Sequence, residues 1–307
     1  MKNFFEGIKI FCTNKEKRTV FLSQHGFFHK MSDEEFIKMQ FKNVFGYNID
    51  LNNPITYNEK LQWLKLNDRK DIYTKMVDKY EAKSYVSKII GNKYIIPTLG
   101  IYNNFDEIDF NKLPNQFVIK CTHDSGGLVI VTDKSKLDIE KAKKKLNKSL
   151  KRNYYYPGRE WPYKNVKPRI IIEKYMKDNK NNSMRDYKFF CFNGNPYCIL
   201  VCSDRDIDLK ETFYDLEWKV MRLKRPNHKL DNSIEKPHNF EKMIEFSKKL
   251  SSKISFLRVD FYEINGNLYF GELTFYPASG FGKFEPEEWD LKLGNLIDLS
   301  LVSKNEK

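Results

Sequence analysis

The sequence reads as an α+β protein, and three of its features say so. Two apolar, aromatic-rich runs, Phe256–Ile264 and Asn267–Thr274, meet at Asn265-Gly266, and Asn-Gly between strand-like runs is the strongest short hairpin signal. A second pair of such runs flanks Asn193-Gly194-Asn195. Other segments carry helix starts instead: Ser32 before Asp33-Glu34-Glu35, and Thr56 with Glu59 at capping-box spacing.

Composition sets the bounds. The 307 residues suit one large domain or two to three small ones, and 40% hydrophobic with 15% aromatic residues supply a substantial core. Charged residues are 31% and mean hydropathy is −0.65, so the surface is wet. Lys+Arg of 54 against Asp+Glu of 41 gives +13. That charge favours nucleotide phosphates, acidic polysaccharide, nucleic acid or an anionic membrane surface, although Lys- and Asn-rich usage also follows from an AT-rich genome. The cysteines, Cys12, Cys121, Cys191, Cys198 and Cys202, are odd in number and form no C-x-x-C pair, which argues against a disulfide framework or a zinc site. Glu6 and Lys9 interrupt the first apolar stretch, making a poor signal peptide, and no run of 18 apolar residues is present. The expectation is a cytoplasmic protein with reduced thiols and no membrane span.

Taken in order, residues 1–72 form a helical N-terminal region, in which Leu61, Trp63, Leu64 and Leu66 give one helix its apolar packing. Residues 73–90 predict a second amphipathic helix holding Lys79 and Lys83 on one face. These lysines are either solvated or aimed at phosphate. Pro97 starts an extended stretch, and 73–110 forms a segment of its own. Residues 117–120 read as a strand ending in Lys120. Then come Cys121-Thr122-His123-Asp124-Ser125-Gly126-Gly127 and a strand over 128–132. Such a loop is a plain hairpin tip or lays backbone N–H groups over phosphates. It lacks the P-loop spacing, and His123 is either a base or simply exposed.

Residues 134–152 read as a basic helix, whose lysines are a solvated face or a contact for acidic polymer or membrane. The aromatic stretch 154–163 is a lid or sugar-stacking loop, or equally a packed connector. Residues 170–176 form a buried strand that turns polar, and 111–180 a unit. In 181–307 follow strands over 186–192 and 196–203, shorter ones at 212–215 and 218–220, a polar linker over 223–238 and a helix over 240–253. The Asn265-Gly266 hairpin and a last helix after Pro286 complete it.

That hairpin carries the chemistry. Asp260 and Glu272 stand in otherwise apolar runs, and a bulge or small register offset puts both on one face. Two carboxylates there lose hydration and repel each other. Arg258 shares Asp260's face by alternation and offsets that cost as a buried ion pair. The other reading is a magnesium ion bridged to nucleotide phosphates, since magnesium is held by one or two carboxylates plus phosphates.

A lysine before a glycine loop, a strand ending Glu-Lys-aromatic-apolar at Glu173-Lys174-Tyr175-Met176, and the late Arg258-x-Asp260…Glu272 hairpin resemble the ATP-grasp fold over residues 75–280. Three further pieces resemble its TupA-like group, named for teichuronopeptide biosynthesis: Pro54-Ile55-Thr56-Tyr57-Asn58-Glu59-Lys60-Leu61-Gln62-Trp63, Asp78-Lys79, and Asp186-Tyr187-Lys188-Phe189-Phe190-Cys191-Phe192-Asn193-Gly194. The resemblance implies two β-rich lobes clasping ATP. It implies Lys79 and Lys120 on phosphates, and His123, Ser125, Gly126 and Gly127 in the covering loop. Glu173, with backbone of Lys174 and Met176, then receives adenine, and Asp186 reaches the ribose. Lys219 and Arg258 lie near the transferred phosphate, and Asp260 and Glu272 hold magnesium. Thr274 stands where the usual pattern has Asn, a weaker third ligand.

The implied reaction joins a carboxylate to an amine through an acylphosphate, with ATP and magnesium, in cell-surface or capsular polysaccharide assembly. The carboxylate belongs to an acidic sugar or polysaccharide, the amine to an amino acid or similar donor, and nucleic acid is not a partner. Two rivals remain: a glycosyltransferase using the D-x-D pairs Asp204-Arg205-Asp206 and Asp206-Ile207-Asp208, and a nucleotide-binding module without catalysis.

Overall fold

In the computed structural model, residues 14–179, 184–204 and 208–302 are described. The D-x-D pairs of the glycosyltransferase reading therefore lie partly outside them, since 205–207 are not included, and so do Cys12 and the first apolar stretch. Two antiparallel sheets carry the chain. The smaller has strands β1 (Thr98–Tyr102), β2 (Phe117–Cys121), β3 (Leu128–Val131) and β4 (Ile170–Lys174) in the order β1-β4-β2-β3. The larger has β5 (Asp186–Phe192), β6 (Asn195–Ser203), β7 (Lys210–Asp215), β8 (Phe256–Ile264) and β9 (Asn267–Thr274) in the order β7-β6-β5-β8-β9.

Alternation decides what each small-sheet face does. On β2, Phe117, Ile119 and Cys121 are fully buried and meet Ala142 and Leu146 of helix α6 (Ile139–Leu150). Val118 and Lys120 therefore point the other way, toward the larger sheet. The lysines of α6 largely face outward, where Lys143 reaches Asp106 at 2.6 Å. In the larger sheet β5 is central, and every one of its residues is buried. Its core is aromatic, with Phe189, Phe190, Phe213, Phe256 and Phe261 fully or nearly fully buried and helix α8 (Phe240–Ser251) packed across it. The last helix, α9 (Glu288–Asn295), packs on α3 (Tyr57–Asn67).

The N-terminal helices α1 (Lys15–Gln24) and α2 (Asp33–Phe45) both begin on side-chain caps, Asn14 and Ser32. Ser32 with Glu35 and Thr56 with Glu59 are complete capping boxes. The aromatic stretch after α6 is a packed connector containing the short turn α7 (Tyr155–Gly158). Its Arg159, 1% exposed, donates to the carbonyls of Phe28 (2.5 Å) and Met31 (3.3 Å) and lies 4.5 Å from the Phe36 ring.

Two expectations need correction. The helix over 73–90 is broken into α4 (Asp71–Val77) and α5 (Glu81–Ile90). Asp78 is extended, and its Oδ1 accepts from the amides of Tyr80 (2.8 Å) and Glu81 (3.2 Å). A short acidic side chain bonding nearby amides competes with helix continuation. Lys79 and Lys83 therefore do not share a helical face. Residues 218–220 form no strand; only Val220 bridges to Tyr214.

Candidate active site between the two sheets

A cleft of about 370 Å³ opens between the two sheets. The small sheet contributes Lys120, Leu128 and Glu173, and the β2–β3 loop contributes Asp124, Ser125, Gly126 and Gly127. Lys79 and Lys83 enter from the α4–α5 corner, Arg258, Glu272 and Thr274 from the β8–β9 hairpin, and Tyr154, Glu160 and Tyr163 from the connector.

Two of the cleft lysines are organised by one acid. Glu173, 5% exposed, receives Lys83 Nζ on Oε1 and Lys120 Nζ on Oε2, both at 2.5 Å. Burial opposes its charge, yet Lys120 and Lys83 overcome this and hold the carboxyl below the usual range. Burial pushes Lys83 down despite Glu173. Lys79 is also lowered by burial, against the pull of Glu272 and Asp124. Its ammonium donates to the Asp124 carbonyl, and its amide to the Thr122 carbonyl at 3.0 Å. Arg169 fixes the corner from outside, bonding Asp78 at 2.9 Å and Glu81 at 3.0 Å. Lys79, Lys83 and Lys120 converge here among the acids Asp124, Glu160, Glu173 and Glu272, and clustered ammonium groups suit a polyanion.

The β2–β3 loop bends on glycine. Gly126 has φ of 106°, and a Cβ on Gly127 would sit 2.5 Å from Ser149 Oγ. The Asp124 carboxylate accepts from that hydroxyl. His123 departs from expectation. It is 1% exposed, and its Nε2 lies 3.2 Å and 3.1 Å from the carbonyls of Ser149 and Arg152 at the end of α6. It anchors the loop and is not among the cleft-lining residues, because the exposed carbonyls of a helix C-terminus draw its N–H.

The hairpin acids are brought together by a bulge. Ile264 pairs with Asn267 and Phe261 with Phe270, but Val259 pairs with Leu273 and Arg258 with Thr274. Two residues, Gly271 and Glu272, thus oppose Asp260, and the extra residue turns Glu272 onto the face of Asp260, Arg258 and Thr274. A Cβ on Gly271 would approach the Asp260 carbonyl to 3.0 Å, so the bulge wants glycine.

Arg258 gathers this cluster. Nε and Nη2 take the two Asp260 oxygens at 2.7 Å each, and Nη2 also reaches Glu272 Oε1 at 2.8 Å and Thr274 Oγ1 at 3.0 Å. Lys188, from β5, adds a 2.5 Å bond to Asp260 Oδ2. Asp260 is 1% exposed and does not line the cleft. Glu272 does, and its side chain is about half exposed. Desolvation opposes its ionisation, but Arg258, Lys188 and Lys79 prevail and hold its carboxyl at about 2.

The donor set fits magnesium in part. Among the described residues no group of three or more acidic, His or Cys side chains forms a metal cage. Glu272 presents a carboxylate oxygen to the cleft that Lys79, Lys83 and Lys120 also line, as suits an ion shared with phosphates. Asp260 is committed to Arg258 and Lys188, so its expected place as a ligand is not what the geometry presents. Thr274 Oγ1 accepts from Arg258 and lies 3.5 Å from Glu272.

The remaining expected residues are scattered. Lys174 and Met176 line a neighbouring cavity of about 820 Å³ with Ile96, Pro97 and Tyr269. The Lys174 amide already donates to the Pro97 carbonyl at 3.0 Å, so it is not open to a base. Asp186 is buried at the start of β5, 3.7 Å from Lys188 Nζ, and is not among the cleft-lining residues. Lys219 sits on the turn after β7, well exposed and tied to Glu217, and lies outside the cleft. The sequence assigns no site role to Lys188, nor individually to Tyr154, Glu160 and Tyr163, although the stretch 154–163 that holds these three is a lid candidate. A lysine within the otherwise apolar β5 run was the available signal for the first.

A family model described as TupA-like ATPgrasp matches residues 59–298. Among solved structures, the chain is similar to D-alanine–D-alanine ligase from Bacillus anthracis complexed with ATP, with 17% identity over 65% of this chain and 53% of that one, TM-score 0.38. It is similar to D-alanine–D-alanine ligase from Helicobacter pylori, with 16% identity over 73% and 61%, TM-score 0.37. It is also similar to the ATP-grasp ligase PsnB complexed with minimal precursor, Mg and ADP, with 8% identity over 82% and 65%, TM-score 0.40. The chain thus spans little more than half to about two thirds of those structures' length. No curated protein matches it.

Proposed function

The chain belongs to the TupA-like ATP-grasp family, and from that premise we propose that it is an ATP-dependent ligase joining a carboxylate to an amine. The observation carrying this reading is that Lys120 from one sheet and Glu272 from the other line a single cleft. A triphosphate laid there meets Lys79, Lys120 and the Ser125-Gly126-Gly127 amides on one side and Arg258 on the other. A carboxylate substrate attacks the γ-phosphoryl, giving ADP and an acylphosphate. The amine then attacks the acyl carbon, and an amide and phosphate leave. No residue need form a covalent bond. The protein holds the reacting groups in line, and its cations offset charge that develops on the transferred phosphoryl. Magnesium, held by Glu272 together with the phosphates, supplies further charge neutralisation when bound.

The cluster of Lys79, Lys83, Lys120 and Arg258 in the cleft and the +13 charge support an anionic first substrate, a uronic acid or acidic surface polysaccharide, with an amino acid or related amine as second. Placement in the cytoplasm, with the lysine face of α6 resting on an anionic membrane surface, belongs to the same proposal. Among the described residues no helix is long and apolar enough to cross a membrane. The glycosyltransferase reading loses ground: Asp204 is paired with Lys210 at 2.8 Å and Asp208 with Lys229 at 2.5 Å, and neither lines the cleft. The test is ADP release across a panel of uronic acids and amino acids, in wild type and in Lys120→Ala and Glu272→Gln. Release in wild type that both substitutions abolish, with folding intact, supports the ligase. Stabilisation by ATP without any turnover points to a binding module, and stabilisation by a UDP-sugar to a transferase.

A further inference from the structure

The cleft continues past Glu160. A second cavity of about 170 Å³ shares Tyr154, Glu160, Ala278 and Ser279 with it, and Val20 and Gln24 of α1 close its far wall. Glu160 is the acid on this partition and is 4% exposed. Its Oε1 accepts from Ser279 Oγ at 2.6 Å, while no described residue donates a hydrogen bond to Oε2.

The bland role for such an acid is counter-ion to a buried base. Lys65, fully buried, is the nearest candidate. Its three N–H groups go to Gln62 Oε1 (2.7 Å) and the carbonyls of Gly158 and Ser279 (2.6 Å each), and it forms no direct ion pair with Glu160. Lys65 thus braces the partition from behind. The partition is also built under strain. Ala278 and Ser279 take φ of 50° and 53°, left-handed values costly for residues with a Cβ. A Cβ on Gly158 would sit 2.5 Å from Ser279 Oγ. On this backbone Ser279 supplies the hydroxyl that holds Glu160 Oε1.

Charge assigns the ligand. In the cleft on one side of the partition Lys83 and Lys120 are paired with Glu173 and Arg258 with Glu272, and with Lys79 these cations suit phosphates and a carboxylate, whereas Glu160 has no ion-pair partner among the described residues. The partition offers a buried acid, which suits a cation. We propose that the small cavity is the amine-acceptor subsite, in which Glu160 binds the ammonium of the incoming nucleophile and receives a proton from it. This rests on the ligase reading above. The ammonium gives one proton to Glu160. The freed lone pair forms the C–N bond as the bond from the acyl carbon to the phosphate oxygen breaks. The second N–H proton leaves with the departing phosphate as hydrogen phosphate, and Glu160 returns its proton to solvent. Burial raises the Glu160 carboxyl above its usual range, against the pull of Lys65, which favours proton acceptance.

The test is a competition. The enzyme receives ATP, magnesium, the uronic acid or amino-acid carboxylate that gives most ADP, and equal amounts of hydroxylamine and an amino-acid amine. Hydroxylamine is neutral at pH 7 and traps the acylphosphate as a hydroxamate without an anionic subsite. Losing a charge-assisted hydrogen bond lowers the amide-to-hydroxamate ratio in Glu160→Gln by about 10- to 100-fold, and Glu160→Asp recovers part of it. Val20→Trp, which fills the cavity from the opposite wall, lowers the same ratio and serves if the Glu160 variants fail to fold. An unchanged ratio in folded Glu160→Gln, or in Val20→Trp, overturns the subsite. Absence of both products in wild type with every carboxylate overturns the ligase reading and the subsite with it.

Discussion

Replacing Glu173 by Gln asks whether one buried acid holds the cleft lysines Lys83 and Lys120 in place. The carboxylate sits 2.5 Å from both Lys83 Nζ and Lys120 Nζ. Gln keeps the shape but removes the charge, leaving two ammonium groups facing each other around one carbonyl oxygen. Breaking a buried pair costs about 3–5 kcal/mol, and the low end, about 3, applies because the amide oxygen still accepts from one lysine. For a chain of this size that lowers Tm by roughly 6–12 °C. The sign of the pH dependence follows from the depressed carboxyl. The stabilisation is fully present above the ordinary glutamate range and is lost progressively as pH falls from that range through the lower folded-state value, so the gap between variant and wild type narrows in acid. The uncompensated lysines also make the variant gain more from a polyanion, so magnesium–ATP raises its Tm by more than it raises that of wild type. Calorimetry at pH 7 and near pH 3, with and without nucleotide, reads all of this. A variant as stable as wild type at pH 7, with an identical nucleotide response, would refute the reasoning.

Two further substitutions probe the hairpin and its surroundings. Gly271→Val places methyl groups against the Asp260 carbonyl, which a Cβ alone already approaches to 3.0 Å. It costs about 1–3 kcal/mol and weakens magnesium–ATP binding by displacing Glu272, and an unchanged urea midpoint and affinity would count against the bulge. Lys219→Ala, at an exposed turn position outside the cleft, changes stability by less than about 0.5 kcal/mol and leaves nucleotide affinity as it was. A large loss of affinity would restore Lys219 to the site.

The sheets and the Asn265-Gly266 hairpin were legible because turn chemistry and strand alternation are local. Asn265 and Gly266 both take positive φ, 51° and 78°, as a two-residue hairpin turn of this type requires. The convergence of Asp260 and Glu272 was legible only as a condition, since the bulge that produces it has no sequence mark beyond Gly271. The break at Asp78 hid inside a good helical pattern, because one carboxylate bonding two amides outweighs periodicity there. Charged residues misled in both directions. Lys65 and Glu160 look like surface residues in sequence and are buried, whereas Lys219 resembles a site residue and is exposed. His123, expected as a base or an exposed loop residue, is a buried anchor. Burial of a lone charge depends on partners distant in the chain, such as Gly158 and Ser279 for Lys65, and local pattern carries no record of them.

The central claim is that Lys120 and Glu272, on different sheets, act on one triphosphate. The most direct measurement is a double-mutant cycle on magnesium–ATP affinity by titration calorimetry, using Lys120→Ala, Glu272→Gln and both together. A shared ligand makes the losses non-additive, with a coupling of about 0.5 kcal/mol or more. Losses that simply add, or no binding of ATP by the wild type, would contradict it.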